Sequence, residues 1–423
     1  MFRTRGGISV AVAAVLILTA CGRSTGSGGS SAGSGTDITS GKATGAITVW
    51  AQGAEADSLP ELLKDFKTAN PGVTVNVTAI PWSAAHDKYQ AAIAAGTTPD
   101  LGQMGTTWME EFGKAGAFDP TPKNFSTAGF YSGAVASTQV AGGTYGIPWY
   151  VDTPVLYYRT DLAAKAGFTG PPATWDQLKA MAAAMQSKAG AKYGIGLPPK
   201  DFQAFLPIAW SNGAKLTSDD GKKWTINTPA MVDAVKYYQS FFTAGIANKT
   251  PDLDTGAYEA AFVNGSVPMF IGGPAEVGTI KQAGGADFAS KYATAVMPKQ
   301  KSSTSFIGGA DLVVFKNSKN RDSAWKLAQY LSTAEVQTTW YTKTGDLPAV
   351  QSAWQQAPLN TDSKLAVFGQ QLKSVDSPPS STSWAQVQAE GSKLMEQVNA
   401  NGLDPAQAMK SLQATADSIG LEN

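Results

Sequence analysis

The stretch AITVWAQGAEADSLPELLKDFKTANPGVTVNVTAI at residues 46–80 carries the clearest fold signal in the chain. An apolar strand pattern at 46–50 precedes apolar residues at helical spacing within 59–68, and Asn70-Pro71-Gly72 ends that helix. Val/Thr alternation at 73–80 is typical of a second strand. The order strand, helix, strand predicts two parallel strands joined by a crossover helix.

The alternation of strands and helices continues through the rest of the chain, which predicts an α/β fold. Gly96 ends a helix at 84–95, a short strand follows at 101–104, and a helix follows at 107–115. A second group of elements begins after a strand at 155–159. It has predicted helices at 174–188, 202–210, 228–244, 257–264, 320–332 and 334–342, strands at 267–271 and 305–315, and a helical last seventy residues.

The first twenty residues have the features of an export signal. Arg3 and Arg5 precede an apolar run at 8–18, which ends in Leu18-Thr19-Ala20-Cys21-Gly22. The run is too short to cross a bilayer core of about 30 Å. The segment resembles a bacterial lipoprotein signal, in which cleavage precedes the cysteine and a lipid is attached to its sulfur. The alternative is an ordinary secretory signal with a chance cysteine at its end.

Residues 22–45 consist almost wholly of Gly, Ser, Thr and Ala. Such a segment buries too little apolar surface to offset its ordering entropy, so we expect a flexible linker. The predicted plan is therefore a signal peptide at 1–20, a lipidated Cys21 with a linker to residue 45, and a globular body.

Composition excludes several kinds of partner and site. Removal of residues 1–20 leaves 403 residues with 31 basic and 33 acidic side chains, and nucleic-acid binding needs clustered positive charge. Cys21 is the only cysteine, so the body has no disulfide and no thiolate metal site. We expect no cofactor. The chain has 11 Trp, 13 Tyr and 17 Phe, and several tryptophans lie in Gly/Pro-rich segments, which suits flat ligands such as sugars.

The chain resembles the extracellular sugar-binding proteins of bacterial ABC importers, a family related to maltose- and trehalose-binding proteins. Its most specific block is GTYGIPWYVDTPVLYYRTDL at 143–162. The other matching segments are ITVW (47–50), FKTANPGVTVNV (66–77), AAIAAGTTPDLGQMGTTW (91–108), GAFDPT (116–121), PATWDQL (172–178), FIGGADLVVFKNSKNRDSAWKLAQYLSTAEVQ (306–337) and GDLPA (345–349).

The resemblance implies a type II periplasmic-binding-protein fold with two α/β lobes and a ligand cleft between them. By analogy, the first lobe comprises residues 46–155 plus 305–345, and the second comprises 156–304 plus 346–423. The expected motion is hinge closure around the ligand. The implied partners are a carbohydrate, membrane permease subunits and a separate ATPase; the protein itself is expected to be a monomer.

Asp152 is the strongest candidate for contact with the ligand. It follows the apolar segment Pro148-Trp149-Tyr150, and open α/β sheets bind ligands at strand ends. Hydrogen bonds to a charged group contribute roughly 1.5–3 kcal/mol, which suits a carboxylate that accepts from sugar hydroxyls. In related sugar binders an aspartate at the matching place contacts the sugar. The alternative is a turn cap or a partner for Arg159.

Two glycine pairs and several strand-end residues complete the predicted site. Glycine lets a ligand approach the backbone closely, although either pair could instead form a bulge or close packing. Relatives often carry an arginine near GDLPA, whereas this chain has Asp346 there and no arginine. The predicted ligand-binding set is Gln52, Thr106, Trp108, Trp149, Asp152, Trp210, Gly272, Gly273, Gly308 and Gly309.

An enzyme is the alternative interpretation of this sequence. His86 is the only histidine, and residues 46–423 contain no Gly-x-Ser-x-Gly elbow and no Walker A loop. Glu110 and Glu111 are adjacent on a predicted helix and so point apart, unlike the carboxylate pair of a glycosidase. We therefore expect a binding protein, with a cell-surface glycoside hydrolase or a carbohydrate-binding adhesin as the alternatives.

Overall fold

The architecture comes from a computed structural model that describes residues 35–252 and 256–421. These residues belong to one compact unit. The predictions on the signal peptide, on Cys21 and on the linker up to residue 34 lie outside the described residues. Residues 35–45, which the sequence assigns to the flexible linker, instead pack on the body: Ala43 is fully buried, and its N–H donates to Oδ1 of Asn70 over 2.8 Å. No helix of the described part is both long and apolar enough to cross a membrane.

The strands alternate with helices along the chain. In chain order the strands are β1 (Gly45–Gln52), β2 (Val73–Ile80), β3 (Leu101–Gly105), β4 (Gln139–Val140), β5 (Gly143–Thr144), β6 (Ile147–Asp152), β7 (Val155–Arg159), β8 (Met269–Gly272), β9 (Tyr292–Ala295), β10 (Ser305–Phe306), β11 (Gly308–Val314), β12 (Leu347–Pro348) and β13 (Val375–Asp376).

The α-helices are α1 (Gly53–Ala69), α2 (Trp82–Ala95), α3 (Met109–Lys114), α4 (Ser132–Ser137), α5 (Thr160–Ala166), α6 (Trp175–Ala189), α7 (Phe202–Ser211), α8 (Pro229–Thr243), α9 (Ala257–Val263), α10 (Ala275–Gly284), α11 (Arg321–Leu331), α12 (Ala334–Thr344), α13 (Ser363–Gln371), α14 (Trp384–Asn401) and α15 (Pro405–Ile419). Short 3₁₀ helices lie at Thr106–Trp108, Ala286–Lys291 and Gln351–Gln355.

The larger sheet has six strands in the order β12-β6-β11-β3-β1-β2. β1 pairs in parallel with β2 and β3, as the strand–helix–strand pattern predicts. β11 is antiparallel to both β3 and β6, and β12 is antiparallel to β6. It follows that β1, β3 and β6 all run in the same direction and end at the same edge of the sheet.

Both faces of this sheet are covered, so its central strands are buried along their length. Trp149 on β6 is fully buried and stacks on Trp340 of α12 with ring centroids 4.5 Å apart. On α1, the buried side chains Leu59, Leu63 and Phe66 belong to the same core. Helices on both faces of a mixed sheet bury its central strands, which explains why the sequences of these strands are continuous apolar runs.

The smaller sheet has three antiparallel strands in the order β8-β7-β9. Tyr157 on β7 stacks on Phe270 of β8 with centroids 4.8 Å apart. A second apolar core contains buried residues of α5 to α8, α14 and α15, including Phe202 and Phe205. β10 and β13 form a separate two-stranded sheet. The α/β class is confirmed, while the lobe boundaries stay a prediction.

Candidate ligand-binding cleft

The edge at which β1, β3 and β6 end is the natural place for a ligand. These strands end at Gln52, Gly105 and Asp152, and the antiparallel β11 begins at the same edge with Gly308 and Gly309. Open α/β sheets bind ligands beyond the carboxyl ends of their strands, because the loops there are free to carry polar groups.

A cleft of about 370 Å³ lies at this edge, between residues of the six-stranded sheet and the segment that follows β8. The side of the larger sheet supplies mainly polar and aromatic groups, and the facing side supplies a Gly-Pro turn and the first turn of α10. The lining residues are Glu55, Trp82, Tyr150, Val151, Asp152, Gly273, Pro274, Ala275, Glu276, Gly309, Thr344, Gly345 and Asp346.

Asp152, the last residue of β6, lines the cleft. The residue as a whole is exposed to solvent, but the protein around its carboxyl group partly desolvates that group. This desolvation raises the pKa of Asp152 to about 6. Gly273 is its neighbour on the facing side, since a Cβ built there would lie 2.9 Å from Oδ1 of Asp152. The Tyr157 hydroxyl donates to the Gly273 carbonyl over 2.6 Å and fixes this turn on the smaller sheet.

Glu55, in the first turn of α1, is held by three donors. The Tyr150 hydroxyl donates to Oε1 of Glu55 over 3.1 Å, and the indole N–H of Trp82 donates to the same atom over 3.3 Å. Gln103 reaches Oε1 at 3.5 Å and also donates to the Tyr150 hydroxyl over 3.2 Å. This network positions Tyr150 and Trp82 beside the carboxylate, and Trp82 remains 38% exposed.

Asp346 and Glu276 add two more carboxyl groups. The Trp340 indole N–H donates to Oδ2 of Asp346 over 3.0 Å. Burial and the nearby Glu55 charge raise the pKa of Asp346 to about 7. Burial, and then the charge of Asp152, raise the pKa of Glu276. Its Oε2 is buried without a hydrogen-bond partner among the described residues.

The cleft is therefore acidic. None of the described residues that line it is Lys, Arg or His. Over residues 35–252 and 256–421, no group of three or more His, Cys, Asp or Glu side chains has the arrangement of a metal site. Carboxylates accept hydrogen bonds, and an exposed indole offers an apolar face. The arrangement suits a ligand that is rich in hydroxyl donors and carries a flat apolar side.

The structure brings part of the predicted set together. Asp152, Gly273 and Gly309 line the cleft. Gly272 is the residue just before Gly273, and a Cβ on it would lie 2.8 Å from the Phe270 ring, so it also serves close packing. Thr106 and Gly308 line a second, smaller cavity of about 60 Å³, which also borders on Tyr150 and Val151.

The remaining predicted residues lie away from the cleft lining. Gln52 is fully buried and hydrogen-bonds to Gln103 and Tyr89. Trp108 packs on Trp82 with ring centroids 5.7 Å apart, so it supports the cleft wall from behind. The other two are core residues: Trp149 is fully buried, and Trp210 is 4% exposed and stacks on Phe306.

Several lining residues escaped the sequence analysis. Glu55 was missed because the predicted helix began at Leu59, whereas α1 starts at Gly53 and contains Pro60. Glu276 and Tyr150 adjoin predicted site residues, so their nearness to Gly273 and Asp152 was the available signal. Asp346 was noted only as a departure from the relatives.

The residues considered for catalysis form pairs outside the cleft lining. His86 lies 2.9 Å from Oε2 of Glu111, and its ring packs on Trp108. Glu110 forms an ion pair of 2.8 Å with Lys114, one helical turn later. These side chains lie on α2 and α3, and none of them is among the residues that line the cleft.

Comparison with known proteins agrees with this geometry. A sequence profile described as bacterial extracellular solute-binding protein matches residues 61–367. A binding protein of Brucella abortus (strain 2308) is 30% identical over 370 residues, 85% of this chain and 89% of that protein.

Two solved structures share the fold over almost their whole length. The sugar-binding protein MalE from Xanthomonas citri has a TM-score of 0.84 and 32% identity, covering 89% of this chain and 97% of that one. An ABC transporter solute-binding protein from Thermotoga lettingae TMO, bound with alpha-D-tagatose, has a TM-score of 0.73 and 25% identity, covering 89% and 100%.

The fold and the cleft define a binding protein of the type II periplasmic class rather than an enzyme fold. The chain belongs to the bacterial extracellular solute-binding protein family.

Proposed function

We propose that this chain captures a neutral mono- or oligosaccharide in the cleft and delivers it to the permease of an ABC importer. One observation carries the proposal: Asp152 at the end of β6 and Gly273 after β8 face one cleft together with the exposed ring of Trp82. The names of the Xanthomonas and Thermotoga proteins support a sugar as the ligand and an ABC importer as the destination.

The chemistry of the lining supports a sugar in particular. Asp152, Glu55 and Asp346 offer carboxyl oxygens that accept from neighbouring hydroxyls, and Trp82 offers a face to the apolar side of a pyranose ring. Gly273 and Gly309 line the cleft and are partly exposed, and the lack of a side chain on glycine lets a ligand approach their backbone closely. An acidic sugar would meet like charges in this cleft, so its binding is disfavoured.

We further propose that two lobes close on the sugar as rigid bodies, in a monomeric protein. The lobes are those predicted from the resemblance, 46–155 plus 305–345 and 156–304 plus 346–423. A ligand that contacts both sides of the cleft binds the closed state more tightly, and this difference in affinity selects that state. Small-angle X-ray scattering tests the closure: a smaller radius of gyration with bound sugar supports it, and an unchanged one contradicts it.

The proposed location is the extracytoplasmic face of the cell membrane, with a lipid on Cys21 as the anchor. The Arg3/Arg5 and apolar segment before Cys21 and the Gly/Ser linker after it support this. A tether of this kind raises the local concentration of the body at the permease. The ATPase is a separate subunit, since residues 46–423 have no Walker A loop.

A panel of D-tagatose, maltose, maltotriose and N,N′-diacetylchitobiose tests the function. A ligand that binds only the folded state raises thermal stability by a term that grows with its concentration. We expect at least one sugar to shift the melting temperature and to be recovered unchanged after incubation. Sugar cleavage at enzyme-like rates would favour a glycoside hydrolase, and the absence of any shift with a wider sugar panel would contradict sugar capture.

A further inference from the structure

Asp311 on β11 is a buried carboxyl group that the proposed cleft does not use. Its residue is 1% exposed. The Ser137 hydroxyl donates to Oδ1 over 3.2 Å, but shares its one proton with the Ala134 carbonyl at 2.7 Å. Oδ2 has no hydrogen-bond partner among the described residues. Burial without a cationic partner raises the pKa of Asp311 to about 8.

A buried carboxyl group whose oxygen lacks a hydrogen-bond partner destabilises the folded protein, so we expect a bound group to supply that partner. Leaving a buried polar group without a partner costs roughly 1–3 kcal/mol in protein mutational data. Asp311 lines the smaller cavity of about 60 Å³, and apart from the apolar Val151, Ile307 and Pro378 the other residues there are glycine, alanine or hydroxyl-bearing. The hydroxyl-bearing residues of this lining are Thr106, Thr107, Ser137, Tyr150, Ser377 and Ser380.

The size of the cavity limits what enters it. A cavity that holds one water molecule has a volume of about 10–15 Å³, so a volume of about 60 Å³ accommodates a small group such as a hydroxymethyl and is too small for a sugar ring. No Lys, Arg or His is among the described residues of the lining. The chemistry therefore fits one uncharged polar substituent that both donates and accepts a hydrogen bond.

The cavity and the cleft adjoin each other at two adjacent rungs of the β6–β11 ladder. Gly308, which lines the cavity, pairs with Asp152, and Gly309, which lines the cleft, pairs with Val151. Tyr150 and Val151 border both spaces. A sugar bound in the cleft beside Asp152 therefore lies against residues that also line the cavity.

We propose that the Asp311 cavity is a selectivity compartment of the carbohydrate site, which takes a hydroxyl or hydroxymethyl substituent of the bound sugar. Asp311 is then a specificity-determining residue, because its free oxygen hydrogen-bonds that substituent. This inference rests on the proposed sugar function and goes beyond it by naming the residue that selects among sugars.

The test compares the tightest-binding sugar of the panel with its monodeoxy analogues in wild-type protein, Asp311→Ala and Asp311→Asn. For wild type we expect at least one analogue to bind about tenfold more weakly, the loss of one good hydrogen bond. Asp311→Ala should reduce the ratio of the two affinities, parent sugar over deoxy analogue, to about twofold or less. Asp311→Asn, which keeps a donor and an acceptor, should restore most of it. Asp233→Asn, at an exposed position on α8, is the matched control and should keep the wild-type ratio.

The ratio of two affinities is insensitive to a uniform loss of stability, so it separates selectivity from a structural role. An unchanged ratio in Asp311→Ala, with sugar binding intact, overturns this inference and leaves the proposed function standing. A second result also overturns this inference: NaCl or KCl raises the melting temperature of wild type above its value in choline chloride, but has no such effect on Asp311→Asn. The cavity then holds a cation and not a sugar substituent. If no sugar binds wild type, the proposed function fails, and this inference fails with it.

Discussion

Asp152 ends a strand of the six-stranded sheet and Gly273 directly follows a strand of the three-stranded sheet, yet a Cβ on Gly273 would lie 2.9 Å from Oδ1 of Asp152. This separation is shorter than real Cβ contacts, so a side chain at position 273 would displace the carboxylate from this arrangement. It brings the end of β6 and the turn after β8 to one point, where a small ligand can contact both. The proposed function depends on this juxtaposition.

Gly273→Ala should therefore weaken sugar binding by displacing the Asp152 carboxylate. We expect a loss of about tenfold in affinity, comparable to one impaired hydrogen bond, with little change in the fold because Gly273 borders on open cleft. Isothermal titration calorimetry measures the loss. Gly278→Ala on α10 is the control, since a Cβ there meets nothing within 4 Å. Equal affinities of the two variants would remove Gly273 from the site.

Asp152→Ala should cost more than the glycine substitution. Removal of the carboxylate deletes the acceptor itself, and we expect a loss of roughly 1.5–3 kcal/mol in the free energy of sugar binding. The fold should survive the substitution, because the residue lies exposed at a strand end. Calorimetric affinity that matches wild type would show that Asp152 is only a turn residue.

Asp346 should make the stability of the protein depend on pH. Its pKa is about 7 in the folded state, against about 3.9 for a free aspartate. Between these values the folded state binds more protons than the unfolded chain, so the free energy of unfolding falls as the pH rises through this window.

Asp346→Asn removes this titration and keeps an acceptor for the Trp340 indole. The free energy of unfolding of the variant minus that of wild type is the quantity to compare. This difference should be about 1–3 kcal/mol larger at pH 8 than at pH 4. Urea denaturation at both pH values gives the comparison. A difference from wild type that is the same at pH 4 and pH 8 would mean that Asp346 does not titrate in this window.

Much of the fold follows from local pattern. The Val/Thr alternation of β2 and the apolar run of β7 predict both strands at the bounds the structure has. The start of α1 was mispredicted, because Pro60 and the polar residues before it mask a helix that begins at Gly53. Glu55 went unnoticed for that reason.

Prediction of the site residues needs to know which distant segments meet in the fold, and a sequence pattern does not contain that information. Every residue of β6 before Asp152 is buried, since helices cover both faces of the sheet. Alternation then cannot tell a core tryptophan from a ligand-facing one, and Trp149 lies in the core. Asp346 and Glu55 come together through long-range packing, including the pairing of β12 with β6, which no local motif encodes.

Cys21→Ser should prevent lipidation. The variant should be found as a retained precursor or a released product, because the acyl chains that would anchor the protein have no sulfur to carry them. Metabolic labelling with a radioactive fatty acid and membrane fractionation measure this. Ser27→Ala, in the linker, is a suitable control with expected wild-type behaviour. Normal labelling of Cys21→Ser would refute the lipoprotein interpretation.

A crystal structure of the protein with the sugar that shifts its melting temperature most tests the proposed binding site directly. We expect density for the sugar at the edge where β1, β3 and β6 end, with one hydroxyl within hydrogen-bond distance of Asp152 and a ring face on Trp82. Backbone groups at Gly273 should close the other side. Sugar bound elsewhere, for example in the groove beside Trp354 and Gln370, with this cleft holding only solvent, would contradict it.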